Sequence, residues 1–400
     1  MRKLLLLVSI LMLNAILGNA GEENQDQDIA KTVEALKQIK METTVPEAAR
    51  LLLTTLKHQL RDLIQNSLKT TNDAANAQTS VINELKKQKA LGENKANINK
   101  ADDDTSYIYG DIIDISIKAV DNHPDMIAAT TTIGVCCGRD TSLYLFKKSG
   151  LDWNLILAQE SNGYAEVSGA QDNFAYAVSP TYHQQNFFIV IKNVTPTCIG
   201  SWLQIRYMAL RPGTTAYGPK VLLKQSEISW LGDETDESIT IKPSGFTIGF
   251  IGEQELNIAG ATRKHVVAYK VDGDQVTRIA PLAKEPEGFL DEWFNLPWSD
   301  ASKWIAGTEL ADISNWHARM HTERSDPESD HFHSEFIYSP PACRISDKQW
   351  QIGIEFHAWK GKSLPLGMPE KAYFTVAQND NGDYVIKDVA KTGARKCRTK

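Results

Sequence analysis

The sequence predicts a mostly β protein. It reads as four repeated units of four antiparallel strands behind an N-terminal helical segment. The units close into a small β-propeller or, alternatively, lie in a row as tandem β-sandwiches. Three observations carry this reading. First, from Tyr107 onward short apolar runs alternate with Gly, Pro, Asn and Asp turns, the pattern of an all-β chain. Second, four hairpins resemble one another: SLYLFKK with WNLILAQ, LQIRYMALR with KVLLKQ, KHVVAYKV with QVTRIAP, and KAYFTVAQ with YVIKDV. Their turns fall at Ser149-Gly150, Pro212-Gly213, Asp272-Gly273-Asp274 and Asn381-Gly382. The first three turn glycines are roughly 60 residues apart and the last follows after about 110, so one repeat carries an insertion. Third, many strands are apolar on consecutive residues, such as Leu143, Tyr144, Leu145 and Phe146. A sheet with one wet face would alternate, so these strands need a neighbour on each face. Face-to-face stacking of small sheets satisfies that need.

Each hairpin has two further strands before it. The runs MIAATTTIGV, NFFIVIKN, FTIGFIG and WQIGIEFHAW precede the hairpins, and DIIDISIKAV, NFAYAVSP, SITIKPS and SEFIYSP precede those. The all-β region thus spans residues 107–400, with a helical insertion at 282–330 that accounts for the long interval.

The region before it divides in two. Residues 1–20 read as a signal peptide: Arg2 and Lys3, an apolar run from Leu4 to Leu17, then the small residues Gly18 and Ala20. The expectation is an exported protein, periplasmic or secreted. Residues 21–100 read as helix and linker. Thr44 is the expected N-cap, with Glu47 as its capping-box partner. Leu53, Leu56, Leu60 and Leu63 then form an apolar stripe at helical spacing. That stripe either joins copies of the chain through residues 44–90, as a homo-oligomer, or packs on its own domain. Only two heptads are regular, which favours packing on the domain.

Charge and composition limit the partners. The net charge of −7 and pI near 5.8 argue against nucleic-acid binding. No run is long and apolar enough for a transmembrane segment. The five cysteines lack CxxC spacing; they either remain buried free thiols or form disulfides that draw on Cys137 with Cys198 and Cys343 with Cys397.

Three constellations carry possible chemistry. His317 and His321 share a helix face, and His331 and His333 share a strand face. Together they are candidate ligands for a divalent metal, which would make the protein a metal-dependent hydrolase. Trp298, Trp304 and Trp316 are candidate stacking residues for sugar rings, which would make it a glycan-binding module. Phe289, Leu290, Trp293 and Phe294 read instead as the packing face of a short helix, and the neighbouring Asp291 and Glu292 point too far apart to flank one glycosidic bond. No nucleotide-binding or hydrolase motif is present. The favoured expectation is an exported binding or scaffolding protein whose β units present loops to a protein or glycan.

Overall fold

A computed structural model describes residues 28–40, 45–91, 109–135, 138–161, 172–182, 186–196, 202–230, 239–253, 262–281, 283, 285–307, 310–325, 336–338, 342–356 and 370–394. The helical segment comprises α1 (Ile29–Lys37), α2 (Glu47–Thr71) and α3 (Ala74–Lys87). Residues 41–44, with Thr44, lie outside the described residues; Pro46 occupies the N-cap of α2 and contributes no side-chain bond. The long amphipathic stretch is a hairpin of two helices rather than one rod. Asn72 adopts the left-handed conformation at φ 60° and ends α2, and the Asp73 carboxylate then accepts the Asn76 N–H to start α3.

Seventeen named strands follow among the described residues. The first sheet runs β1 (Ile112–Val120), β2 (His123–Val135), β3 (Gly138–Ser149) and β4 (Asp152–Gln159). The second runs β5 (Asp172–Val178), β6 (Ile189–Pro196), β7 (Trp202–Arg211) and β8 (Lys220–Trp230). The third contains β9 (Ile239–Lys242), β10 (Gly245–Glu253), β11 (Thr262–Asp272) and β12 (Gln275–Ile279). The fourth contains β13 (Phe336–Tyr338), β15 (Gln349–Phe356), β16 (Glu370–Gln378) and β17 (Tyr384–Ala390). It also holds β14 (Cys343–Ser346), an extra strand paired with β15 that the repeat pattern did not contain. All four are antiparallel, the first three simple meanders and the fourth the same but for β14, so the repeated unit is the one read from the hairpins. Gly150, Gly273 and Gly382 sit at positive φ in the turns, where a Cβ would be strained.

The doubly apolar strands are used on both faces. Tyr144 and Phe146 of β3 face the helices, while Leu143 and Leu145 face the second sheet. In β6, Ile189 and Ile191 pack toward the first sheet, while Val190, with Phe188 just before the strand, packs toward Phe246, Ile248 and Tyr269 of the third. The layers are therefore helices, first sheet, second sheet, third sheet.

The helical stripe closes one end of this stack. Leu53, Leu56, Leu60, Ile64 and Leu68 are fully buried in one cluster with Ile115, Ile127, Ile133, Tyr144 and Phe146. Each such side chain contributes about 1.5–3 kcal/mol on burial. The stripe is thus spent on the chain's own sheet. Both faces of the first sheet are taken, one by helices and one by the second sheet, so the arrangement is open rather than a closed ring. It fits tandem sheets or an open propeller.

The insertion joins the third and fourth units. It contains α4 (Pro286–Asn295), α5 (Trp298–Ala301), a 3-10 turn (Ser302–Trp304) and α6 (Leu310–Ser325). Phe289, Leu290, Trp293 and Phe294 of α4 pack on Ile352, Phe374, Val376 and Ile386 of the fourth sheet. From the other side of α4, Glu292 reaches His265 at 3.3 Å and Arg278 in the third sheet.

Candidate functional site

The candidate ligands and stacking residues of the insertion come first. His317 lies on α6 and is buried, with Nε2 3.2 Å from the Trp293 carbonyl. Its ring lies 4.7 Å from that of Trp293 and 5.2 Å from that of Trp298. The imidazole is held within an aromatic cluster at the end of α4. The side chain of His321, and all of His331 and His333, lie outside the described residues. Among the described residues no three His, Cys, Asp or Glu side chains converge on a metal position.

The three tryptophans divide by exposure. Trp304 and Trp316 are half-buried against the fourth unit, and Trp316 lies 5.3 Å beneath the Arg319 guanidinium. Trp298 is 37% exposed, with His317 against it. Asp291 and Glu292 are both buried, and Glu292 serves as the counter-charge to Arg278 and lies 3.3 Å from His265 Nδ1. Cys343 is disulfide-bonded. Cys136, Cys137, Cys198 and Cys397 lie outside the described residues.

A polar cluster that the sequence did not announce lies between α2 and the first sheet. Lys57 is buried, and its Nζ sits 2.5 Å from Asp140 Oδ2 and 2.6 Å from the Ser161 carbonyl. One turn along α2, Arg61 approaches Glu160 at 3.4 Å, and His58 approaches the same carboxylate at 3.6 Å. The Tyr144 hydroxyl donates to the Lys57 carbonyl at 3.3 Å. Arg61 also lies 5.0 Å from the ring of Tyr217, on the loop between β7 and β8. The cluster thus fastens the helices to the first unit and touches the second. No periodicity marks it, because Lys and Arg in an amphipathic helix read as solvated.

Burial, assisted by the Glu160 carboxylate, pushes the Tyr144 phenol well above its ordinary value of 10.0. An acid whose folded-state pKa is raised binds its proton more tightly when folded. Its stabilisation is fully present below pH 10.0 and is lost as pH climbs from there through the folded-state value. Wild type is therefore expected to lose stability above pH 10.0 faster than Tyr144→Phe. Urea midpoints for the two proteins at stepped pH check this. Parallel decline would show that another group governs alkaline unfolding.

The surface of the α2–α3 hairpin carries an open groove of about 740 Å³. Most of its lining residues carry a hydroxyl or amide, among them Asn66, Ser67, Thr70, Thr79, Ser80 and Asn83, and Leu63 lines it as well. Ser67 and Ser80 meet across it, Oγ to Oγ, at 3.3 Å. Glu84 and Lys87 at its rim pair with each other at 3.4 Å, which leaves the groove without an unbalanced charge of its own. Such a surface can exchange hydrogen bonds with an uncharged polar ligand.

No protein family and no curated protein matches this chain.

Proposed function

We propose that this is an exported binding or scaffolding protein that holds an uncharged, hydrogen-bonding partner on its helical face. The observation that carries the reading is the α2–α3 groove, open to solvent and lined by hydroxyl and amide side chains. The disulfide at Cys343 supports export, because such bonds persist where no thiol pool reduces them. Its proposed partner is Cys397. In support, Gln351 lies directly across from Cys343, and the Ala394 N–H donates to the Gln351 side chain at 2.6 Å, three residues before Cys397.

The test is binding of the mature protein to arrays of uncharged oligosaccharides and of peptides, beside an Asn66→Lys, Asn83→Lys variant. Spots retained by wild type and lost by the variant would support the groove. Equal signals, or none from either protein, would overturn it.

A second reading, glycan recognition, is favoured by Trp298, a partly exposed aromatic held against His317. It predicts quenching of tryptophan fluorescence by oligosaccharides in wild type and not in Trp298→Ala. Identical quenching in the two proteins would reject Trp298 as the platform.

A further inference from the structure

Lys57 and Asp140 stand apart from the other ion pairs described. Their side chains are 1% and 0% exposed, and nitrogen and oxygen touch at 2.5 Å. Most of the other pairs lie at the surface or keep one partner partly exposed. Isolating two opposite charges from water is costly even when they are paired.

We propose that these two side chains condense to an amide, an internal Lys57–Asp140 cross-link that ties the helical segment covalently to the first sheet. For reaction, one proton passes from Nζ to the carboxylate along their contact, which gives a neutral amine beside a carboxylic acid. Those are the forms that react. The Nζ lone pair attacks Cγ of Asp140, and the Nζ–Cγ bond forms. The Cγ–Oδ bond then breaks, and the hydroxyl leaves with a proton from nitrogen as water. No electrons are gained or lost, and no co-reactant is required.

The surroundings suit this chemistry. The two groups are held in contact by α2 and β3, which removes the entropy of bringing them together. The Ser161 carbonyl accepts from Nζ at 2.6 Å and remains a partner for the amide N–H of the product. Asp140 pairs in register with Ile133, and the next rung on the same face pairs Thr131 with Ser142. Both of those residues are buried on the face that carries Asp140. The product replaces two buried charges with one neutral amide.

The decisive measurement is the mass of the full chain after reduction and denaturation. The expected mass is lower by one water than the mass calculated for the isolated polypeptide from its observed N-terminus. Trypsin is expected to leave Lys57 uncut and to release one branched peptide, in which Leu51–Arg61 is joined to Asp140–Lys147. Asp140→Asn is expected to close with loss of ammonia instead of water, and Lys57→Met to show no loss. A wild-type chain at its full calculated mass, with no water lost and Lys57 open to trypsin, would overturn the proposal. So would a water loss that maps to any other residue. Because wild type alone supplies the deciding result, a variant that fails to fold does not blur it.

Discussion

Replacing Trp293 by alanine is expected to destabilise the fourth unit by about 3–5 kcal/mol, the usual cost of removing a fully buried tryptophan. Trp293 has no exposed surface and lies at the junction of three elements. Its ring meets Phe294 at 5.1 Å, His317 at 4.7 Å and Phe374 at 6.3 Å. Its indole N–H donates to the Ala301 carbonyl at 2.9 Å, which fixes α5 against α4. Truncation would empty the volume between α4, α6 and the fourth sheet, and would leave the Ala301 carbonyl without its donor. Trp293→Phe keeps most of the apolar volume but not the N–H, so its cost should be smaller. Urea unfolding followed by circular dichroism, comparing wild type with both variants, checks the order. The repeat architecture also predicts that the alanine variant unfolds in two stages, the fourth unit first, because each unit packs mainly on its neighbours. A single transition with an unchanged midpoint would show that the insertion does not hold the fourth unit.

The strands were legible because their determinants are local. Apolar runs such as Leu143 to Phe146, closed by a glycine turn at Gly150, state both the hairpin and the need for a layer on each side. The insertion was legible as an interruption of a regular interval. What escaped the sequence depends on contacts between distant residues. The pairing of His317 and His321 on one helix face is local, but the aromatic cover that Trp293 and Trp298 place over His317 comes from other helices. Lys57 and Arg61 look like the wet side of an amphipathic helix until Asp140 and Glu160 arrive from β3 and the end of β4. The break between α2 and α3 rests on one left-handed residue, Asn72, and one cap, Asp73. Hydrophobic spacing reports neither, since the stripe resumes at Ala77 and Val81. The choice between a ring and an open row was likewise beyond local pattern, because helices and sheets can satisfy the same apolar face.

Gln78 should prove costly to remove from the helical segment, although nothing in its sequence context marks it. The edge strand β1 turns the backbone groups of Ile115 and Ile117 away from β2. Gln78 of α3 meets both: its Nε2 donates to the Ile115 carbonyl at 2.5 Å, and its Oε1 accepts the Ile117 N–H at 2.7 Å. One side-chain amide thus takes the place of a neighbouring strand. Removing it leaves a donor and an acceptor in a partly buried position, so Gln78→Ala is expected to cost about 2–3 kcal/mol. The same change bares part of a sheet edge, which is a template for pairing with another chain. The variant should therefore unfold at lower urea and self-associate more at high concentration, as read by light scattering. Gln78→Glu separates the two roles. Its carboxylate still accepts the Ile117 N–H but repels the Ile115 carbonyl at neutral pH. Protonation restores a donor, so the gap to wild type should narrow as pH falls through the ordinary glutamate range near about 4.3. If Gln78→Ala matched wild type in both stability and association, the edge of β1 would have to be guarded by something other than α3.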